Sequence, residues 1–132
     1  MKLSSSWLMM TALLALPLMG PVAAHADVDE DCASAKTQVE MNQCYDKALT
    51  EAEAKLQAAY TKALENNNAE EPGLAAMLEV AEPGWLAYRD QQCALENYYS
   101  RGGSGYGVFV ASCRIKMTEA RTAFLTDMVE AP

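Results

Sequence analysis

The sequence predicts an all-α protein, an antiparallel three-helix bundle stabilised by two disulfides. In three segments the apolar side chains recur at steps of three and four residues, which places them on one face of a helix. No segment of useful length alternates apolar and polar residues as a half-buried β-strand would. The chain of 132 residues contains four cysteines, and an even number in a short exported chain is typical of a disulfide framework.

The first 26 residues have the composition of a secretory signal peptide. Lys2 precedes an apolar run at Trp7–Leu18, and Ala24-His25-Ala26 fits a small-x-small cleavage site. The run is too short to span a bilayer stably, although an uncleaved anchor is the alternative. We therefore expect residues 27–132 to form one helical domain in the periplasm, or secreted further, with no membrane attachment after cleavage.

Charge and composition exclude several classes of function. The chain has a formal net charge of −8, and cleavage would remove Lys2 and leave one more negative unit. Nucleic-acid binding needs basic patches, so we expect no nucleic-acid partner. A basic partner reached by electrostatic steering is favoured, and a merely solubilising charged face is the alternative. The single histidine, His25, would leave with the leader, and no Cys-x-x-Cys pair is present, so we expect no metal or cofactor.

The first long helix is predicted to follow a polar leader at residues 27–36. Thr37 and Glu40 have the spacing of a capping box, in which each side chain accepts a hydrogen bond from the other residue's backbone N–H. The helix is expected to end near Leu64, because the amides of Asn66–Asn68 compete for backbone hydrogen bonds. Its apolar stripe consists of Met41, Tyr45, Ala48, Ala52, Leu56, Ala59 and Ala63.

The second helix is predicted to begin near Pro72, a residue favoured in the first turn. Pro83 and Gly84 interrupt its middle, and a proline there removes a helical hydrogen bond. Because the stripe keeps its register across them, we expect one kinked helix or two short helices stacked end to end. The predicted stripe consists of Leu74, Leu78, Ala81, Trp85, Tyr88 and Gln92.

The third helix is predicted to follow residues 101–107, which contain four glycines and are expected to form a flexible loop. The helix should reach nearly to the end of the chain. Short links pack three such helices up, down and up. The predicted stripe of the third helix consists of Val110, Cys113, Met117, Ala120, Phe124 and Met128.

This antiparallel order places all four cysteines at one end of the bundle, beside the glycine-rich loop. Three pairings are possible. Local closure costs less chain entropy and favours Cys32–Cys44 and Cys93–Cys113. The first of these requires the leader to fold back before Thr37, because twelve helical residues would rise about 18 Å. Cross-bundle pairs such as Cys44–Cys93 remain open.

Several motifs occur together along residues 27–132. One runs from Cys32 through Thr37-Gln38-x-Glu40-Met41-Asn42 to Cys44. The others are Ala52-Glu53-x-x-Leu56-Gln57-x-x-Tyr60, Trp85-Leu86-x-Tyr88-Arg89-Asp90-x-x-Cys93, Gly102-Gly103-Ser104, Cys113 and Thr118-x-x-Arg121-x-x-x-Leu125. In this combination the chain resembles the lysozyme inhibitor LprI-like domain family of exported four-cysteine helical proteins.

The resemblance implies a protein that binds and inhibits lysozyme. The chain departs from the family pattern at Glu82, where glutamine is usual, and at Pro83-Gly84, where helix formers are usual. The alternative is a non-catalytic structural or stress-related envelope protein without lysozyme inhibition. We expect no enzymatic activity, because no histidine is available to a nucleophile, no Gly-x-Ser-x-Gly motif is present, and a short-looped bundle offers no deep cleft.

The glycine-rich loop carries the first candidate contact residues. Arg101, Ser104 and Tyr106 would project from a segment whose base is held by a disulfide. A hydroxyl, a phenol and a guanidinium are suited to the polar cleft in which a lysozyme binds sugars. An ordinary helix–helix linker is the alternative.

Arg89 and Asp90 are the other candidates for partner contact. A role in holding the bundle together is favoured over binding for Arg89, which could pair with Glu40, Glu53 or Asp90. Arg121 presents the same choice, and we expect it to pair with a carboxylate of the first helix, because an arginine fork suits a partly buried carboxylate.

Overall fold

A computed structural model describes residues 28–130 of the chain, and the predicted signal peptide lies outside this range. The helices are α1 (Val28–Asp31), α2 (Gln38–Glu70), α3 (Pro72–Glu96), a 3-10 helix (Tyr98–Ser100) and α4 (Tyr106–Glu130). Residues 28–130 contain no strand. The predicted all-α class and the bundle of three long helices are therefore confirmed, with α1 as a short addition in the leader.

The start of α2 was predicted correctly and its end was not. Oγ1 of Thr37 accepts from the backbone N–H of Glu40 at 3.2 Å, and Oε2 of Glu40 accepts from the N–H of Thr37 at 3.0 Å, which completes the capping box. The helix passes Leu64 and continues to Glu70. The buried side chain of Asn67 donates to the carbonyl of Ala63 at 2.7 Å, so this amide bonds within its own helix instead of ending it.

Two apolar clusters form the core, and the predicted stripe of α2 contributes to both. At the cysteine end, α1, α2 and α4 pack together. At the other end, α2, α3 and α4 meet around Leu125. The first cluster contains Val28, Cys32, Tyr45, Ala52, Ala111 and Ile115, and the second contains Leu56, Ala63, Leu78 and Leu125. The start of α2 therefore lies beside the start of α4, so these two helices run parallel and pack directly on each other, and α3 lies against both of them in the opposite direction.

The predicted stripe of α3 was partly wrong. Tyr88 is 56% exposed and Leu74 is 38% exposed, although both were assigned to the core, and Ala81 is exposed as well. The buried face lies about one position further along the helix and includes two charged residues, so a stripe of apolar residues does not trace it. The buried residues of α3 are Ala75, Leu78, Glu82, Arg89 and Cys93.

Two other expectations for the second and third helices are corrected. A single helix contains Pro83, so the alternative of two short stacked helices does not hold. The buried face of α4 includes Ala111, Ile115, Thr118 and Leu125. Phe124 of the predicted stripe is 51% exposed and Ala120 is exposed.

The disulfides join Cys32 to Cys44, with a Cα–Cα distance of 5.8 Å, and Cys93 to Cys113, at 5.6 Å. These are the two local pairs that chain entropy favours, and the cross-bundle pairing is not formed. The leader folds back before α2 as the first bridge requires, because α1 and the turn after it bring Cys32 beside Cys44. Both bridges lie toward the same end of the bundle, where Cys44 packs against the cluster that contains Ala111.

Candidate functional site

The link between α3 and α4 forms the tip of the molecule, here residues 97–106. It is a series of tight turns rather than the flexible loop expected from its glycines. Backbone hydrogen bonds run from Ser100 N–H to the Asn97 carbonyl at 2.9 Å, from Gly103 to Ser100 at 2.9 Å and from Tyr106 to Gly103 at 3.2 Å. No glycine of the described range has a positive φ. The backbone of the tip is therefore shaped before any partner arrives.

Arg101 is exposed and still fixed in place. Its guanidinium lies 3.7 Å from the centre of the Tyr98 ring, and Nη1 donates to the Tyr98 carbonyl at 2.8 Å. A cation stacked on an aromatic face loses little further side-chain freedom when a partner binds. Arg101 is thus a predicted contact residue of the tip whose side chain is held in place before a partner binds.

Ser104 and Tyr106 occupy different positions than the sequence suggested. Ser104 is exposed on the turn, as predicted, whereas Tyr106 is half-buried and is the first residue of α4. Gly107 likewise belongs to that helix. The structure therefore brings Arg101 and Ser104 to one exposed surface, and Tyr106 also supports the start of α4.

The sequence analysis missed the aromatic residues that precede the glycines. Tyr99 is 97% exposed and Tyr98 is 49% exposed, and their rings meet edge to face with centroids 5.5 Å apart. Phe109 and Leu95, near the two ends of the tip, are also exposed. The available signal was the Tyr98-Tyr99 pair, which lies outside every helical stripe. A tip with exposed aromatic and arginine side chains has the composition of an interface hot spot.

Arg89 lies in the bundle, away from the tip. It is 5% exposed, and its guanidinium reaches Glu53 of α2 at 2.9 Å and Asp90 at 2.9 Å. Nη1 donates to Oγ1 of the fully buried Thr118 in α4 at 2.9 Å. Two of the three predicted partners are therefore present, and the third, Glu40, caps α2 instead. Arg89 joins all three long helices, which favours the structural role over partner contact.

Asp90 is half-exposed and serves the same network. Its Oδ1 accepts from Nε of Arg89 at 3.0 Å and lies 3.2 Å from Nε of Arg114 on α4. About two turns of α3 separate Asp90 from the tip. The five predicted contact residues thus fall into two groups that the fold does not bring together.

Arg121 pairs with a different helix than expected. Its Nε and Nη2 lie 3.0 Å and 2.7 Å from Oε2 of Glu82, so the partner comes from α3 and not from the first long helix. Both side chains are largely covered, with exposures of 15% for Arg121 and 8% for Glu82. The guanidinium carbons of Arg89 and Arg121 also lie 5.8 Å and 5.5 Å from the ring centre of Trp85. The ring of Trp85 thus lies close to the guanidinium groups of both ion pairs.

A groove of about 510 Å³ lies between α2 and α3. Three carboxylates and one arginine line it, and two of the carboxylates, Asp90 and Glu82, also pair with Arg114 and Arg121 of α4, which lie outside the lining. Burial, followed by the charges of Glu79 and Glu82, raises the pKa of Tyr60 on its wall above the ordinary 10.0. The lining residues are Glu53, Leu56, Gln57, Tyr60, Glu82, Pro83, Leu86, Arg89 and Asp90.

The described residues offer neither a metal site nor a membrane span. Residues 28–130 contain no cluster of three or more histidine, cysteine or acidic side chains that could hold a metal ion. Within that range, no helix is long and apolar enough to cross a membrane.

Comparison with known proteins gives a family match over most of this structure. Residues 29–125 match the family model described as lysozyme inhibitor LprI. An uncharacterized protein of Rhizobium meliloti (strain 1021) is 33% identical over 129 residues, which cover 89% of this chain and 93% of that protein. No solved structure matches the chain significantly.

Proposed function

The chain belongs to the lysozyme inhibitor LprI family, and we propose that it is an exported, periplasmic protein that binds and inhibits lysozyme. The observation that carries the proposal is the family match across residues 29–125, which spans both disulfides, α2, α3 and most of α4. A signal peptide at residues 1–26 would deliver the chain to a compartment where such bridges form. The proposed activity is binding, without catalysis.

The tip is the proposed contact surface. Tyr98, Tyr99, Arg101 and Ser104 combine aromatic area, a cation and a hydroxyl, and tyrosine and arginine dominate the energetics of many interfaces. The Cys93–Cys113 bridge closes the base of the tip, and its turns are hydrogen-bonded internally. A surface shaped in advance loses less entropy when it binds, which favours this segment over the termini of the helices.

The acidic surface supports a basic partner. A net charge of −8 accelerates encounter with a positively charged protein, and lysozymes of animal secretions are typically basic. The negative charge would raise the rate of association, and the contacts of the tip would determine which partner is bound.

A lysis assay tests the proposal directly. Purified, oxidised protein is added to egg-white lysozyme, and to lysozymes of other classes, while the turbidity of a cell-wall suspension is followed. We expect dose-dependent inhibition of at least one class. Undiminished lysis by every class tested would contradict the proposal and favour the alternative, a structural or stress-related envelope protein.

Variants of the tip test the contact surface. The double substitution Tyr99→Ala with Ser104→Ala should weaken inhibition about tenfold or more, equivalent to about 1.4 kcal/mol. Tyr88→Ala is the matched control, because Tyr88 is 56% exposed but lies on α3 outside the tip. Tyr106 is left intact, because its half-buried ring would confound binding with folding. Equal inhibition by a folded double variant would exclude the tip as the contact.

A further inference from the structure

Glu82 has an oxygen without a hydrogen-bond partner. The residue is 6% exposed, and Arg121 donates both of its hydrogen bonds to Oε2. Oε1 is buried and accepts no hydrogen bond from any residue of the described chain. A carboxylate oxygen that has left water normally regains a donor within the protein. Glu82 therefore retains an unused capacity to accept one more hydrogen bond.

The position of Glu82 indicates where that donor would come from. Glu82 is part of the lining of the groove between α2 and α3, and Arg121 holds the side chain from the α4 side. Because Glu82 lines the groove and its Oε1 has no hydrogen-bond partner within the protein, a donor in the groove is the candidate partner of this oxygen. A carboxylate is only an acceptor, which restricts the group that binds there to a donor.

The charges around the groove favour a cationic donor. Glu53 and Asp90 lie on its wall with Glu82, against the single guanidinium of Arg89. That guanidinium is already shared by Glu53 and Asp90, so the partner of Glu82 is Arg121, which lies on the α4 side and does not line the groove. The same negative charge contributes to the raised pKa of Tyr60.

The apolar part of the lining restricts the ligand further. Leu56, Pro83 and Leu86 form the remaining walls. A hydrated metal ion gains nothing from such walls, whereas the methylene stem of a lysine or arginine packs against them and keeps its charged head in a polar setting. The volume of about 510 Å³ is ample for one such side chain.

We propose that the groove between α2 and α3 binds one alkylammonium or guanidinium group carried on an apolar stem, with Oε1 of Glu82 as its deepest acceptor. Glu53 and Asp90 flank the cation, and Leu56, Pro83 and Leu86 contact the stem. The group belongs either to a free polyamine or to a lysine or arginine side chain of a protein partner. The site is separate from the tip, so it stands whether or not the chain inhibits lysozyme.

The site can be tested without lysozyme by adding a small probe to the oxidised protein and monitoring chemical shifts by NMR. The probes are N-acetyl-arginine methylamide and N-acetyl-norleucine methylamide, which differ in the charged end. We expect the arginine probe to cause saturable shifts at Tyr60, Leu86 and the indole of Trp85, because Trp85 contacts the arginine paired with Glu82. The norleucine probe should cause none of these. Equal shifts from both probes, or shifts scattered over the acidic surface, would overturn the proposal.

Substitution of a groove residue tests the location without disturbing the buried pair. Gln57→Lys places an ammonium of the chain's own into the groove and should weaken binding of the arginine probe about tenfold or more. Gln57→Met has a side chain of similar length without the charge and should bind as the wild type does. Unchanged binding by Gln57→Lys would overturn the proposal.

A second pair of variants tests the acceptor itself. Glu82→Gln should also lose about tenfold in affinity for the arginine probe, whereas Glu51→Gln, which removes the same charge from an exposed position on α2, should not. A folded Glu82→Gln protein that binds normally would overturn the role of Oε1.

Two further measurements identify the source of the cation. Spermidine replaces the arginine probe in the titration, and Gln57→Lys is compared with Gln57→Met in the lysis assay. Inhibition weakened by Gln57→Lys alone assigns the groove to a side chain of lysozyme. Unchanged inhibition with tight spermidine binding assigns it to a free amine. Failure of every amine to bind refutes the groove site alone, whereas absent inhibition by the wild type refutes only the proposed function.

Discussion

Replacing Arg121 with methionine tests how much the buried ion pair contributes to stability. The substitution keeps an apolar stem and leaves the carboxylate of Glu82, whose side chain is 8% exposed, without its two hydrogen bonds of 3.0 Å and 2.7 Å. Removing one partner of a buried pair costs about 3–5 kcal/mol, because the other charge remains desolvated. Loss of the guanidinium contact with Trp85 adds about 0.5–1 kcal/mol. We expect a total loss of about 4 kcal/mol.

Equilibrium unfolding of the oxidised protein in urea measures this loss. With a slope of about 1–3 kcal/mol per molar urea, the midpoint should fall by about 2 M. Lys47→Met is the matched control, because Lys47 and Glu51 are 3.8 Å apart and 79% and 60% exposed, and such a pair contributes less than about 0.5 kcal/mol. If Arg121→Met lost less than about 1 kcal/mol, the pair would not be buried as described.

The double variant Arg121→Met with Glu82→Met shows how much of the stability lost in Arg121→Met comes from leaving a buried charge without its partner. Replacing both partners of a buried ion pair with apolar residues is often neutral, because no desolvated charge is left. We therefore expect the double variant to be more stable than Arg121→Met alone. A double variant that loses the sum of the two single effects would show that the residues do not interact, and the reasoning would fail.

Three other perturbations have expected outcomes. Hydrogen bonds from the backbone N–H groups of Lys36 and Thr37 hold the pKa of Glu40 below its ordinary value of 4.5. Wild type should therefore exceed Glu40→Gln in unfolding free energy at neutral pH and lose that advantage as pH falls below 4.5 and through the lowered pKa; a pH-independent difference would contradict this. Serine substitution of either disulfide should cost about 2–4 kcal/mol, but only loss of Cys93–Cys113, and not of Cys32–Cys44, should weaken lysozyme inhibition in folded protein. The association rate with a basic lysozyme, measured by stopped flow, should fall as the salt concentration rises. A salt-independent rate would contradict electrostatic steering by the acidic surface.

The sequence predicted most of α2 well, because all but one of its buried positions are apolar and its start is capped locally. The capping box of Thr37 and Glu40 depends on residues three apart, and such short-range chemistry is readable without a fold. The C-terminal end of α2 could not be predicted from local sequence in the same way. Whether the amide of Asn67 ends a helix or bonds within it depends on burial against other helices, which no local pattern contains.

The registers of α3 and α4 were predicted poorly for one physical reason. A stripe analysis assigns apolar residues to the core and charged ones to solvent, but here Glu82, Arg89 and Thr118 are buried and Tyr88 and Phe124 are exposed. A charged residue is buried when a partner from another helix satisfies it. That partner is distant in sequence, as for Arg121 and Glu82, so spacing within one helix cannot reveal it.

The candidate contact surface was predicted in part. The position of the tip follows from the order of the helices and the cysteines, which is why Arg101 and Ser104 were expected there and are exposed; their contact with a partner stays a prediction. Tyr99 was missed because exposure of an aromatic residue is informative only once the core has been identified.

The way α3 is held explains why the groove lies where it does. The cluster at the cysteine end contains residues of α1, the turn after it, α2 and α4, so in this half α3 is joined to the bundle by the ion pairs of Arg89 and Asp90 and by the Cys93–Cys113 bridge. Apolar side chains stabilise by close packing and leave little space between two helices. A long guanidinium that reaches Glu53 across 2.9 Å stabilises through its charged end and leaves the flank of α3 uncovered. The polar contacts that made the register of α3 unpredictable from its sequence therefore also leave the groove beside α3 open to a ligand.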